Sequence, residues 1–317
     1  MLGYILRRLI YMIPTLFGIT LLTFLLFNVA GGDPAAQLAG LHATPQQIED
    51  IRVELGLNQP LYKQYFDYVG QIVRFDFGRS WATKQTIGQM ILGRSLEDSP
   101  ILASLSLTLP VFLLNILLSI IIALVLTQVR GSFLDQSTMV SCLAAMSISS
   151  LAYILFLQYY LGYKLALFPI SGWDPSFFGR WEYLILPILI FVILSLGGKI
   201  LFYRTIFLDE IYQDYVRTAR SKGLGTKSVL FKHILRNALI PIITLEVLSM
   251  PFLILGSILV ESFFAVPGLG GLLVLAINNA DFPVIKAMTF IGAVLYMIFQ
   301  LISDLLYVVV DPKVRLY

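Results

Sequence analysis

Cysteine is almost missing from this chain: Cys142 is the only one in 317 residues. No intrachain disulfide can form, and a cysteine-built metal site is excluded. Histidine is nearly as scarce, with only His42 and His233. His42 has no second histidine or cysteine near it in sequence, so nothing there argues for a metal. Charge is sparse too, at 13% of residues with a net +3, too little and too scattered for a nucleic-acid surface. A phosphate-cradling G-x-x-x-x-G-K-[ST] pattern is absent. Gly223-Leu-Gly-Thr-Lys-Ser228 has the wrong spacing, and Gly198-Lys199 lacks the following Ser or Thr.

What fills the chain instead is apolar: 58% of residues, with a mean hydropathy of +0.84. That balance assigns most residues to hydrocarbon. A spanning helix needs about 20 mostly apolar residues, and six charge-poor runs meet that length, at 9–29, 100–129, 136–163, 183–203, 237–260 and 287–310. The fold class is therefore an all-α polytopic membrane protein with six transmembrane helices. Arg7 and Arg8 precede the first run like the head of a signal peptide, but the run is too long and no small-x-small site follows. We expect an uncleaved first helix within 1–30. Residues 31–99 are polar, with Pro34, Pro45 and Pro60, and suit a small extracytoplasmic cap inserted after that helix. Residues 100–317 form a five-helix core. No internal repeat or flexible linker is evident.

Six spans put both termini on one side. The Lys/Arg excess of short loops marks the cytoplasm, and Arg7, Arg8, Arg130, Lys199, Arg204, Arg217, Arg220, Lys222, Lys227, Lys232, Arg236, Lys313 and Arg315 all fall with the termini. The short outer loops offer only Lys164, Arg180 and Lys286. Both termini are expected to be cytoplasmic. Lys199, near the end of the fourth run, is expected to snorkel toward the headgroups.

The cytoplasmic loop at 205–237 is more than a connector. Residues 214–222 contain no helix breaker, Gly223 and Gly225 can take positive φ and end that helix, and Thr226 or Ser228 can cap the next. Val229, Leu230, His233, Ile234 and Asn237 recur at helical period, with Lys227, Lys232 and Arg236 on the other face. Helix, turn and helix would make a knob able to dock in a soluble partner. Lys227 and Lys232 are adequately explained as positive-inside charges, and a lone His233 beside basic residues as a packing residue.

This loop resembles the cytoplasmic "EAA" loop of ABC importer permeases, in the version of the dipeptide/oligopeptide/nickel permease family. The match lies at 215–224, Tyr-Val-Arg-Thr-Ala-Arg-Ser-Lys-Gly-Leu, and at 233–241, His-Ile-Leu-Arg-Asn-Ala-Leu-Ile-Pro. The usual glutamate position falls on Arg217. Similar stretches run along the chain: Leu6-Arg-Arg-Leu-Ile-Tyr-Met-Ile-Pro-Thr15, Gly32-Asp-Pro34, Val260-Glu-Ser-Phe-Phe264, Pro267-Gly-Leu-Gly270 and Asp311-Pro312. Glu97-Asp-Ser-Pro100 and Glu246 depart from the family pattern. The resemblance implies a type I ABC importer transmembrane domain. It implies a second, related permease subunit, two ABC ATPase subunits that bind ATP and Mg, and an extracytoplasmic solute-binding protein. This chain would bind no cofactor, metal or nucleic acid and would contact membrane lipid. It implies ATPase docking by Tyr215, Arg217, Thr218, Ala219, Arg220, Gly223, Leu224 and His233, with Ala219 and Gly223 small so that the partner's cleft can close.

Glu246, about ten residues into the fifth run, is a costly intramembrane carboxylate and hence a candidate functional group. Ser249, Met250, Leu253 and Ser257 share its helical face at i+3, i+4, i+7 and i+11, and that face is one candidate lining of the translocation path, with Glu246 attracting a cationic or amino-bearing solute. The other reading makes Glu246 an interhelical structural partner or a protonated carboxyl. Asp304 suits structural pairing, and Pro267-Gly-Leu-Gly-Gly271 an outer turn bracing the path. Asn278, Asn279 and Asp281 stand in the same loop as candidate contacts for a delivering protein. An ion-coupled secondary transporter is the alternative, but it would favour inverted repeats and coupling-ion sites. An intramembrane enzyme would need a nucleophile and base at membrane depth, and neither is evident.

Overall fold

A computed structural model describes residues 2–30, 33–39, 43–95 and 97–310. His42, Gly32, the Asp311-Pro312 pair, Lys313 and Arg315 lie outside the described residues. All described elements are helical apart from one isolated bridge between Arg79 and Thr86.

The first span, α1 (Leu2–Leu25), runs on into a π-helical turn at Leu26–Ala30. Four short helices follow: α2 (Pro34–Ala39), α3 (Pro45–Glu54), α4 (Leu61–Val73) and α5 (Ile87–Leu92). Thr44 opens α3 with a capping box: its hydroxyl accepts from Gln47 N at 3.4 Å, while Gln47 Oε1 accepts from Thr44 N at 2.9 Å. The second span is α6 (Pro100–Gln128), with proline at its first helical position, where no intrahelical N–H bond is lost.

The third span breaks. Residues 136–163 were expected as one run, but α7 (Phe133–Ser147) and α8 (Ser150–Leu157), which continues as a π-helical turn to Lys164, meet at 93°. Ile148 is extended at φ −88°, ψ 135° and Ser149 at φ −57°, ψ 137°, so the chain turns with neither proline nor glycine at the corner. The fourth span, α9 (Arg180–Ile211), outlasts its apolar run at the far end. The loop helices α10 (Asp214–Ser221) and α11 (Thr226–Ser228) come next. A π-helical turn at Val229–Ile234 leads into α12 (Leu235–Ser249). The fifth span is interrupted as well: α13 (Pro251–Leu255) ends at Gly256, whose φ of +75° is left-handed, and α14 (Ile258–Phe264) starts afresh under a Ser257 cap. After α15 (Leu269–Asn278), the last span is α16 (Phe282–Val310). Among the described residues, five helices are long and apolar enough to cross a membrane, or six when the bent pair counts as one span.

Among the described residues four apolar cores hold the bundle, the smallest being Leu126, Cys142 and Ile200 of α6, α7 and α9. Leu107, Ile154, Leu184, Ile190, Val260 and Phe264 knit α6, α8, α9 and α14. At the opposite end of α6 and α9, Ala123, Leu124, Tyr203 and Phe207 meet Val216, Ala219, Leu230 and Ile234 of the loop. The third core joins Ile87 and Ile91 of α5 to Leu269, Phe282, Val284 and Met288 of α15 and α16. Segment 33–95 thus shares its core with the spans. Tyr65 of α4 also wedges edge-on between Phe17 and Phe24, with ring centroids 5.7 and 5.4 Å away. Apolar side chains along the outside, such as Ile13, Leu113, Val140 and Phe156, stay exposed, as hydrocarbon or a second membrane subunit requires.

Candidate functional site

The loop between the fourth and fifth spans is built on a turn that only glycine fits without strain. Helix α10 starts after extended Gln213 (φ −69°, ψ 149°) and stops at Lys222. Gly223 then takes φ +74°. Its N–H donates to Arg220 O at 2.9 Å, and Leu224 N donates to Ala219 O at 3.3 Å. Those two bonds make a Schellman end, which satisfies carbonyls that the helix leaves open. The next helix begins at Gly225, extended at φ −65°, ψ 151° with no side-chain cap, so neither Thr226 nor Ser228 supplies the cap expected of it.

Burial divides the loop into two faces. Val216, Ala219, Val229, Leu230 and Ile234 point into the core formed with Tyr203 and Phe207. Ala219 is only 4% exposed. Its smallness lets α10 sit against its own protein, which corrects the expectation that it leaves room for a partner's cleft. Arg217, Thr218, Arg220, Gly223 and Leu224 lie on the exposed face with Lys222 and Lys227, while Tyr215 and His233 are half-buried. Leu224 is 40% and Phe231 60% exposed; the sequence reading did not single out Phe231. Nothing lies within 4 Å of a Cβ built on Gly223, so its constraint is backbone conformation alone. A cleft of about 430 Å³ separates the end of α6 from this face, lined by Thr127, Gln128, Ile211, Arg220 and Leu224.

Tyr215 fastens the start of α10. Its hydroxyl donates to the Glu210 carboxylate. Burial, with that bond, pushes the phenol up to about 12. The Arg217–Asp214 pair, by contrast, is 3.4 Å long with both side chains exposed, a geometry that contributes little.

Two buried ion pairs lie just above the loop. Glu246 on α12 receives Lys199 Nζ of α9 at 2.6 Å, with side-chain exposures of 6% and 18%. The Tyr203 hydroxyl donates to its other oxygen. Lys199 therefore points inward instead of snorkelling, with Phe112 5.4 Å from its ammonium. Arg204 grips Asp135 of α7 through Nε and Nη2, both at 2.7 Å, a bidentate arrangement. The fourth span is thus tied to the third and the fifth within one and a half turns.

Of the candidate path residues, Glu246 is enclosed and paired. Ser249 donates to Glu246 O at 2.7 Å, and the Leu253 carbonyl accepts from Thr108 of α6 at 2.6 Å. The break at Met250–Pro251 and the left-handed Gly256 end the common face. Ser257 lies beyond it and caps α14, so the five residues do not form one helical stripe.

Near the start of α6, fully buried Glu261 accepts from Ser104 Oγ at 2.9 Å and from the backbone N–H groups of Ser257 and Gly271 at 3.0 and 3.1 Å. A Cβ on Gly270 would come within 2.9 Å of Glu261 Oε2, and one on Gly268 closer still. Gly268 and Gly270 of the Pro267-Gly-Leu-Gly-Gly271 turn hence give the carboxylate room. Asp281 is also occupied: 2% exposed, it accepts from the Ser80 hydroxyl and from Trp81 N at 3.0 Å. It anchors the segment before α5 and is not free for a delivering protein, while Asn278 and Asn279 are exposed. Asp304 pairs with Arg8 of α1 at 2.6 Å.

Residues 115–316 match the family described as binding-protein-dependent transport system inner membrane component, and residues 1–126 match the N-terminal region of such membrane components. Among similar curated proteins is the oligopeptide transport system permease protein AppB of Bacillus subtilis, 37% identical over 99% of this chain and 100% of its own length. A putative peptide transport system permease protein of Brucella abortus is 37% identical over 99% of both chains. The glutathione transport system permease protein GsiC of Shigella flexneri is 34% identical over 99% of both.

Proposed function

The chain belongs to the family of inner membrane components of binding-protein-dependent transport systems and is a permease subunit of such an importer; on that premise we propose how it is powered, what it carries and how it moves. It is a multi-pass inner-membrane protein with both termini, and hence the 205–237 loop, in the cytoplasm. The solute is a peptide or similar small molecule, as the names of the peptide, oligopeptide and glutathione relatives suggest. A second, related permease completes the path. An extracytoplasmic binding protein delivers the solute, and two ATPases, which hold ATP and Mg, bind the loops.

One observation carries this reading: the loop is packed onto the spans beneath and exposed above. Val216, Ala219, Leu230 and Ile234 lock it onto the ends of α6 and α9, while Arg217, Arg220, Gly223, Leu224 and Phe231 face outward. A push on that face cannot be absorbed by the loop and must pass to the spans beside it. Arg204–Asp135 and Lys199–Glu246 then carry it to α7 and α12 as rigid-body movement. The loop transmits force and does no chemistry. Glu246 serves as a latch between spans, and Ser249, Met250 and Leu253 flank the path near the break of the fifth span.

Purification of the tagged complex in mild detergent tests the docking. An ATPase should accompany the wild-type chain and fall at least tenfold in yield with Gly223→Trp, which places a bulky ring on the exposed turn. Undiminished co-purification and solute-stimulated ATP hydrolysis in that variant would remove this face from the docking site.

A further inference from the structure

A second cavity, of about 320 Å³, opens at the cap end between α1, α4 and α16, lined by Asn28, Gln59, Gln64, Tyr68, Trp81 and Lys286. Its volume is at the lower end of the range for small-molecule sites and far above the roughly 30 Å³ share of one water. Lys286 was expected in an outer loop but stands in the second turn of α16, half-buried. Its ammonium donates to Asn28 Oδ1 and lies 5.4 and 5.9 Å from the ring centres of Tyr68 and Phe24. No carboxylate among the described residues comes within ion-pair distance of it.

The cation is held in place. Asn28 Nδ2 donates to Gln64 Oε1 at 3.2 Å, and Gln64 Nε2 donates to Leu57 O and Gln59 O at 3.0 and 2.7 Å. The same wall carries two enclosed polar atoms without partners, Tyr68 Oη and Gln59 Oε1. Unsatisfied buried groups beside an unneutralised ammonium are costly and call for a reason. Asp67, Asp76 and Arg79 also line the cavity, and both aspartates are exposed. With one half-buried cation, one more at the wall and two outer carboxylates, the site is bipolar and unfavourable to a polyanion.

We propose that this cavity binds a small zwitterionic solute of the amino acid or short-peptide class, its carboxylate on Lys286 Nζ and its ammonium toward Asp67 and Asp76. A phospholipid phosphate would meet the same ammonium but repel the two aspartates. The physiological direction of loading rests on the importer reading, whereas binding itself does not, so the test measures binding.

Calorimetric titration of the full chain in maltoside micelles, which contain no phosphate, uses dialanine, dialanine amide and a short-chain phosphatidylglycerol as probes. Dialanine should bind saturably and the amide at least tenfold more weakly. Lys286→Met should abolish dialanine binding, and Lys286→Arg should keep it within about fivefold. If Lys286→Met fails to fold, the wild-type contrast between dialanine and its amide still decides. Equal binding of both probes, dialanine binding that survives in Lys286→Met, or a response to phosphatidylglycerol alone would overturn the assignment. Failure here would leave the ATPase-docking result untouched, and the reverse holds.

Discussion

Removing either end of the Lys199–Glu246 pair should cost far more than removing both. The two groups are 2.6 Å apart with side-chain exposures of 18% and 6%, so water screens them little. Breaking a buried ion pair from one side costs about 3–5 kcal/mol, because a charge is left uncompensated. Lys199→Met and Glu246→Leu should each lose about that much. The double variant removes both charges and keeps apolar volume, leaving mainly the Tyr203 hydroxyl without its acceptor, at about 1–3 kcal/mol. Interhelical hydrogen bonds in membranes couple by only about 0.6 kcal/mol on average and 1.7 at most. A coupling well above 2 kcal/mol would therefore identify a charge latch between α9 and α12. Reversible unfolding in mixed maltoside and dodecyl sulfate micelles, followed by tryptophan fluorescence, supplies the four stabilities of the cycle. Additive single variants, or a coupling below about 1 kcal/mol, would refute the latch.

Asp135→Asn, which takes the charge from under the bidentate Arg204, should destabilise by about 3–5 kcal/mol in the same assay and recover on adding Arg204→Met. Gly223→Ala should cost about 1–2 kcal/mol from its left-handed backbone, read as a lower unfolding midpoint, because the added methyl meets no neighbour within the chain and only the backbone is strained. Glu261→Ala strands the Ser104 hydroxyl and two backbone donors and should cost at least about 3 kcal/mol, read as a lower unfolding midpoint. Tyr215 titrates near 12 in the fold, above the ordinary 10.0 of a phenol. Its contribution is therefore complete below pH 10 and disappears as pH rises from 10 to 12. Ultraviolet difference titration against Tyr215→Phe should show no phenolate from this residue at pH 10.5.

The helical spans and the helix–turn–helix of the loop were legible because each rests on local pattern: apolar length, and glycine at a helix end. Gly223 is the clearest instance, since the Schellman turn needs the positive φ that its residue type supplies. The corner between α7 and α8 was illegible, because Ile148 and Ser149 turn the chain without a breaker. Pro251 and Gly256, where the fifth span is interrupted, were passed over in reading 237–260 as one apolar run. Pairings across helices were hidden for another reason: Lys199 and Glu246 lie 47 positions apart, and only packing decides whether a lysine snorkels or turns inward. Ala219 shows the same limit, because a small residue at a docking loop reads alike whether it faces a partner or its own core.

The most direct test of the account is solute uptake into liposomes by the purified chain alone and by the complete set of permeases, ATPases and binding protein with ATP. The account predicts uptake only by the complete set, with Gly223→Trp reducing it at least tenfold while the chain stays folded. Accumulation driven by an ion gradient with this chain alone, and unaffected by Gly223→Trp, would contradict it.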